Sequence, residues 1–334
     1  MQIDTIHVVA RCHHQILYTR IPSYRRADLH QAQSVDKSVF EYWTHALSYV
    51  STADYRYYVA AMRRRWADRS AWFGSVTPGD VRKVLRRLRT LGPLTIRDID
   101  DDVLTDKQHE WGSRKPSKRA LQLLFYRGLV TVSRRTGMLK TYDLPTRHFG
   151  WEKPPPAAAE RETLVYLLER ALRSQGLVSL SSVCHGDAGR KKSMESLISG
   201  RVRRRELVPV MVGNVPHWAT PAVLDGNAQP CGLVHILSPF DPVVIQRKRL
   251  ELFFNYGHVF EAYVPKKKRI YGYFTHPVFV GEEIAAVVDL KADRERRKLL
   301  VQSWTWIAKG ARRELKRRIE EALHRFERFQ LARD

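Results

Sequence analysis

A chain of 334 residues is too long for one ordinary core and suits two or three domains. With 43% hydrophobic and 28% charged residues it has a globular composition, which excludes a largely disordered chain. Lys+Arg of 58 against Asp+Glu of 35 leave a net charge of +23, so polyanions are the natural partner. No apolar run reaches membrane-spanning length, and residues 1–12 lack the charged and apolar regions of a signal peptide. A soluble, cytoplasmic protein is therefore expected.

Gln2 and Asp4 open the chain. If residues 2–9 are extended, alternation points Gln2 and Asp4 to one face and Ile3 into the core, and the amide and carboxylate together can hold one water. The same spacing also suits a capping or surface acid near a frayed terminus. Cys12, Cys184 and Cys231 are an odd number and widely separated, so neither a disulfide framework nor a zinc knuckle is expected. His13 and His14 beside Cys12 diverge in direction, so no metal and no cofactor is expected; His14 is read as packed or near DNA.

Val81, Val84, Leu85, Leu88 and Leu91 recur at helical spacing, with Arg82, Lys83, Arg86, Arg87 and Arg89 opposite, and Gly92-Pro93 ends that helix. A short helix fits residues 95–100 and a third runs from near Pro116 to Gly128. Two strands follow, 129–133 and 138–144, joined by Arg134-Arg135-Thr136-Gly137. Three helices and a hairpin are the order of a winged helix. After the stiff Pro154-Pro155-Pro156 linker the order returns: a helix through Leu164, Leu168 and Leu172, a short one over 180–184, a basic one over 190–205, and a hairpin over 207–219. Residues 234–290, with apolar runs such as Val278-Phe279-Val280 broken by glycine turns, predict a small antiparallel barrel or curled sheet. A long basic helix over 308–328 closes the chain.

Winged helices meet DNA through the third helix and the wing, and cations stand on both. Lys115, Lys118 and Arg119 begin one third helix; Lys191, Lys192, Arg201, Arg203 and Arg204 flank the other; Arg134 and Arg135 sit on a wing. Lys266, Lys267, Lys268 and Arg269, followed by Tyr271 and Tyr273, combine cations for phosphate with rings for a base. A solvated basic face, a localisation-type run or a plain turn would carry the same residues.

Four stretches together resemble the AlkZ/YcaQ-like crosslink-repair DNA glycosylases: Gln2-Ile3-Asp4-Thr5-Ile6 with Val8-Val9-Ala10-Arg11, Phe40-Glu41-Tyr42-Trp43-Thr44-His45, Ser238-Pro239-Phe240-Asp241-Pro242-Val243-Val244, and Lys268-Arg269-Ile270-Tyr271-Gly272-Tyr273-Phe274. The resemblance implies an α+β chain: tandem winged-helix domains, the first N-terminally incomplete, then a small antiparallel β-barrel and a C-terminal helix. The divisions expected are 1–76, 77–150, 151–230 and 231–334. It implies a DNA glycosylase acting on double-stranded DNA that carries alkylated or crosslinked guanine; with no Schiff-base lysine called for, a monofunctional, monomeric, nucleoid-associated enzyme is expected. The family's Gln-x-Asp motif falls on Gln2 and Asp4 as catalytic residues, with Arg11 and His14 near DNA. Alkylation at N7 already makes the purine a good leaving group, so a carboxylate that activates water and attracts the sugar cation suffices.

Two departures matter. Family members have a helical segment ahead of the motif, whereas Met1 stands directly before it here. An α-ammonium there, roughly 10 Å from Asp4 by chain reach, would oppose the sugar cation by about 1–2 kcal/mol. Ala46 also replaces a frequent acid. Glu41, Trp43 and His45 are expected as supporting residues, Glu41 and His45 pairing at helical i,i+4 spacing or the set acting as a packing anchor; Asp241 is read as a turn-fixing acid. The rival reading is a tandem winged-helix DNA-binding protein without catalysis, a regulator or an inactive remnant.

Overall fold

The computed structural model describes residues 1–67, 73–99, 104–105, 113–226, 232–310 and 312–332. They fall into two compact units, Met1–Arg25 with Leu164–Asp334, and Arg26–Thr163. The fold is mixed α/β with small antiparallel sheets.

In the Arg26–Thr163 unit, a helix Arg26–Ser34 leads into a hairpin of Val39–Trp43 and Leu47–Ser51 and a helix Arg56–Ala67. The stretch Val-Phe-Glu-Tyr-Trp was expected to be helical. Its β-branched and aromatic residues instead make a strand, which pairs Glu41 with Tyr49 and leaves His45 in the turn. The helix Pro78–Leu91 starts with a capping box in which Thr77 accepts from the Asp80 N–H and Asp80 accepts from the Thr77 N–H. It ends at Gly92, whose φ of 89° suits only glycine. Helices Ile96–Ile99 and Pro116–Tyr126 follow, then strands Thr131–Thr136 and Leu139–Asp143, with Leu94–Thr95 added beside Leu139–Asp143. The spacing-based expectation of three helices and a hairpin agrees to within a few residues; Asp100 lies outside the described residues.

The other unit repeats this order. Helix Glu160–Gln175, which begins in the first unit, is followed by Leu180–Val183 with a Ser179–Ser182 capping box, then helix Lys191–Arg203 and the hairpin Val208–Val212 with Val215–Ala219. Met194, Ile198, Leu168 and Leu172 close a small core between the helices.

The expected barrel is absent among the described residues. Strands Lys298–Trp306, Glu283–Asp293, Thr275–Val280 and Val234–Ile236 form, in that order, an open antiparallel sheet. The reason is that both faces find helical cover. The helix Arg312–Leu331 lays Ile319, Ala322, Leu323 and Phe326 over Val278, Val280, Ala286, Val288 and Leu290. Opposite, Phe279, Ile284 and Val287 pack on Leu237, Val244 and Leu250. A sheet buried on both sides has no apolar face left to hide by curling shut, and its central strands read as continuous apolar runs for the same reason.

Two of the buried histidines in this unit are held well below the ordinary imidazole range. His276 is 0% exposed and burial drives its imidazole down to about 3; His258, buried and facing the Arg247 charge, falls to about 4. Both fold neutral, so their contribution is complete above the ordinary histidine value of about 6.5 and is lost as pH falls below it. Between pH 6.5 and 5 we expect a loss of roughly 2 kcal/mol per histidine. Denaturant unfolding at the two pH values checks this, and His276→Phe should remove the roughly 2 kcal/mol that His276 contributes to the pH dependence.

Candidate active site and basic cleft

The Gln2–Val9 segment is not an extended strand. Ile3 is buried as expected, but Asp4 closes a turn in which its Oδ1 accepts from the Ile6 N–H at 2.8 Å. Gln2 Nε2 donates to Asp4 Oδ2 at 3.4 Å, so the amide and carboxylate meet through a local turn rather than through alternation. Asp4 is half-buried, its carboxylate neither sealed into the core nor fully in solvent.

What fixes the segment is the far end of the chain. The Ala292 N–H donates to Val8 O at 3.0 Å, and Arg294 Nη2 donates to Val9 O at 2.9 Å and His7 O at 3.2 Å. Val9 is 0% exposed in the sheet–helix core. Behind it, helix Cys12–Tyr18 is anchored by Gln15 Nε2 on Ile236 O at 3.0 Å. Arg20 grips Asp241 with two bonds of 2.7 and 2.8 Å, while Asp241 also accepts from the Val243 N–H at 2.9 Å, the turn-fixing role expected of it. Sequence reasoning missed Arg294 and Arg20. Nothing in their neighbourhood signals partners more than two hundred positions away.

Two titratable neighbours shape the site. Burial, helped by the Asp4 charge, pushes the Cys12 thiol up to about 12, so it remains protonated and donates to Gln2 O at 3.2 Å. Burial and the Arg170 guanidinium drive the Met1 amine down to about 6. At neutral pH it is mostly uncharged, and the repulsion expected from an α-ammonium is correspondingly weakened. Among the described residues no group of three or more His, Cys, Asp or Glu side chains is placed to hold a metal ion, and no helix is long and apolar enough to cross a membrane.

An open cleft of about 700 Å³ adjoins this segment. His7 and Val8, three and four residues beyond Asp4, line it together with Lys266, Arg269, Lys291 and Arg294. Lys266–Lys268 form an exposed single turn at its edge. Tyr271, expected to reach a base, is partly buried against the core on the second face of the sheet.

The remaining expected DNA contacts divide by burial. Lys118, Arg134, Lys191, Lys192 and Arg203 are exposed, and Lys115 and Arg11 half-buried. His14 Nδ1 lies 2.6 Å from the Tyr24 hydroxyl. Arg119 is 3% exposed and bonded to Thr105. Arg201 is paired with Glu169, and Arg204 with Glu206 at 2.5 Å. Arg135 is not a free wing cation: it forks onto the Glu41 carboxylate at 2.5 and 2.6 Å, and Gln33 Nε2 adds a third bond at 3.1 Å. Glu41 therefore supports the hairpin through Arg135, not through His45, which is exposed beside Thr44. Trp43 stacks on Tyr126 with ring centres 5.3 Å apart.

The family model described as "DNA glycosylase AlkZ-like" matches residues 1–329. Among solved structures, the Streptomyces sahachiroi DNA glycosylase AlkZ has the same fold, with a TM-score of 0.61 over 99% of this chain and 89% of that one, at 17% identity.

Because the Glu41–Arg135 pair is buried on both sides, Arg135→Ala should cost about 3–5 kcal/mol by stranding the carboxylate, whereas Glu41→Leu with Arg135→Met should be close to neutral. Denaturant unfolding measures both, and DNA affinity of the folded double variant should match the wild type.

Proposed function

The chain belongs to the AlkZ-like DNA glycosylase family, and from that premise we propose that it hydrolyses the N-glycosidic bond of N7-alkylated guanine in double-stranded DNA, interstrand crosslinks included, without cutting the strand. The observation that carries this reading is the Asp4 carboxylate, half-exposed, oriented by the Ile6 N–H and bridged to the Gln2 amide. N7 alkylation puts a fixed positive charge on the base, so the bond to the sugar weakens without a proton donor. As it breaks, positive charge develops at C1′ and Asp4 stabilises it. Asp4 then accepts a proton from the water that attacks C1′, while the Gln2 side-chain oxygen accepts the water's second hydrogen and aims it. The base leaves with the bonding electrons, its charge neutralised.

In this reading the chain comprises tandem winged helices, divided at 1–76, 77–150 and 151–230, ahead of the 231–334 sheet and helix, and works as a monomer. Lys118, Arg134, Lys191, Lys192, Arg203 and Lys266–Lys268 contact phosphates, and the open cleft admits a bulky lesion that a closed pocket would refuse.

Asp4→Asn tests this. Losing a general base should slow release of N7-methylguanine from an oligonucleotide by about 10²–10⁴, with DNA affinity unchanged, and Gln2→Ala should fall between. Product DNA should be intact until alkali is added. A wild-type protein that binds alkylated DNA yet releases no base would be a non-catalytic binder and would end the proposal.

A further inference from the structure

The basic loop carries a feature that phosphate contact does not use. Tyr263 is 81% and Ile270 69% exposed, one on each leg of the loop that Lys266–Lys268 crown. Single apolar residues on a surface need no explanation. These two, however, stand on backbone that is held with unusual care. Glu261, 2% exposed, accepts N–H bonds from Ile270 at 2.5 Å, Tyr271 at 2.8 Å and Gly272 at 3.2 Å. Burial works against its charge, but these donors outweigh it and keep the carboxyl below its ordinary range. Asp289, 6% exposed, accepts from the Tyr273 N–H at 2.7 Å and the Phe274 N–H at 3.1 Å.

Gly272 sits at φ 147° with its α-carbon against the Asp289 carboxylate, where a Cβ would collide. Across the loop, Arg269 Nε donates to Val264 O at 2.8 Å, tying the two legs together, and its guanidinium lies 4.9 Å from the Tyr273 ring centre. Two buried carboxylates thus take five backbone N–H groups on the Ile270 leg, and the Arg269 and Val264 bonds tie the Tyr263 leg to it, presenting two side chains among four cations. Ile270 also lines the cleft that His7 and Val8 border. Cations placed around an exposed apolar tip suit one target: a nucleic-acid backbone whose base step the tip enters.

We propose that Tyr263 and Ile270 form a wedge that enters the base stack beside the lesion, and that Glu261 is the positioning residue that presets it. The inference rests on the glycosylase reading and adds to it how the damaged nucleotide is loosened from the duplex. Unstacking a duplex step costs a few kcal/mol, and preset apolar side chains that fill the gap return much of it. A single strand has no such step to open.

The test compares single-turnover release of N7-methylguanine from duplex and from single-stranded oligonucleotide of one sequence. Tyr263→Ala with Ile270→Ala, both surface changes, should slow duplex release by about tenfold or more and leave single-strand release unchanged. Glu261→Gln should show the same selective loss. A 2-aminopurine placed next to the lesion should brighten on binding wild type and not on binding the double variant. Equal slowing on both substrates, or no slowing with unchanged 2-aminopurine brightening, overturns the wedge. If wild type releases base from neither substrate, the glycosylase reading has failed instead, and the 2-aminopurine signal alone decides whether the loop enters the stack.

Discussion

The position of the Asp4 carboxylate depends on a seam between the first ten residues and the strand Glu283–Asp293. One backbone bond, Ala292 N–H to Val8 O, and two from Arg294 to Val9 O and His7 O hold the segment to the sheet, while Val9 enters the core beneath. A chain end left to itself frays. Here the fraying is countered by groups nearly three hundred positions away, so the helix Arg312–Leu331 that packs the sheet also bears, at one remove, on where Asp4 sits. Cys12 adds a short-range brace: a thiol kept protonated by burial remains a donor to Gln2 O and not a competing anion beside Asp4.

The net charge of +23 does not translate directly into a binding surface. Arg135, Arg119 and Arg201 are spent inward, on Glu41, Thr105 and Glu169. Arg20 and Arg294 clamp Asp241 and the N-terminal backbone. Guanidinium suits this work because its planar fork satisfies a carboxylate or two carbonyls at once. The lysines Lys118, Lys191, Lys192 and Lys266–Lys268 stay exposed. A strongly hydrated ammonium on a flexible stem is costly to bury and cheap to present. Among the expected contacts the arginines divide, Arg135, Arg119 and Arg201 turning inward while Arg134 and Arg203 stay exposed.

This explains which features were legible in the sequence. Helices such as Pro78–Leu91 and Pro116–Tyr126 show themselves by period and by Pro and Gly at their ends, and the hairpins by their apolar runs between turn residues. Glu41 and His45 misled because i,i+4 spacing says nothing until the backbone is known, and the β-branched, aromatic stretch around Glu41 prefers a strand. The barrel expectation failed because an apolar run shows that a strand is covered, not whether another strand or a helix covers it. Proximity of Gln2 to Asp4 was readable, though for a different reason from alternation: an Asx turn draws the two side chains together. Partners at the other end of the chain leave no local trace.

On the glycosylase reading, the chemistry around Asp4 also constrains which bases can leave. An uncharged purine departs readily only if a proton is delivered to it in the transition state. The Cys12 thiol beside Asp4, at about 12, holds its proton too tightly to be that source. A base that brings its own positive charge needs no donor, and the Asp4 carboxylate is a negative charge that such a base and its sugar can meet. The positive surface that gathers DNA phosphates would repel the lesion taken alone. The duplex carries the lesion in against that repulsion, and in this reading the Asp4 carboxylate offers the opposite charge at the bond that breaks.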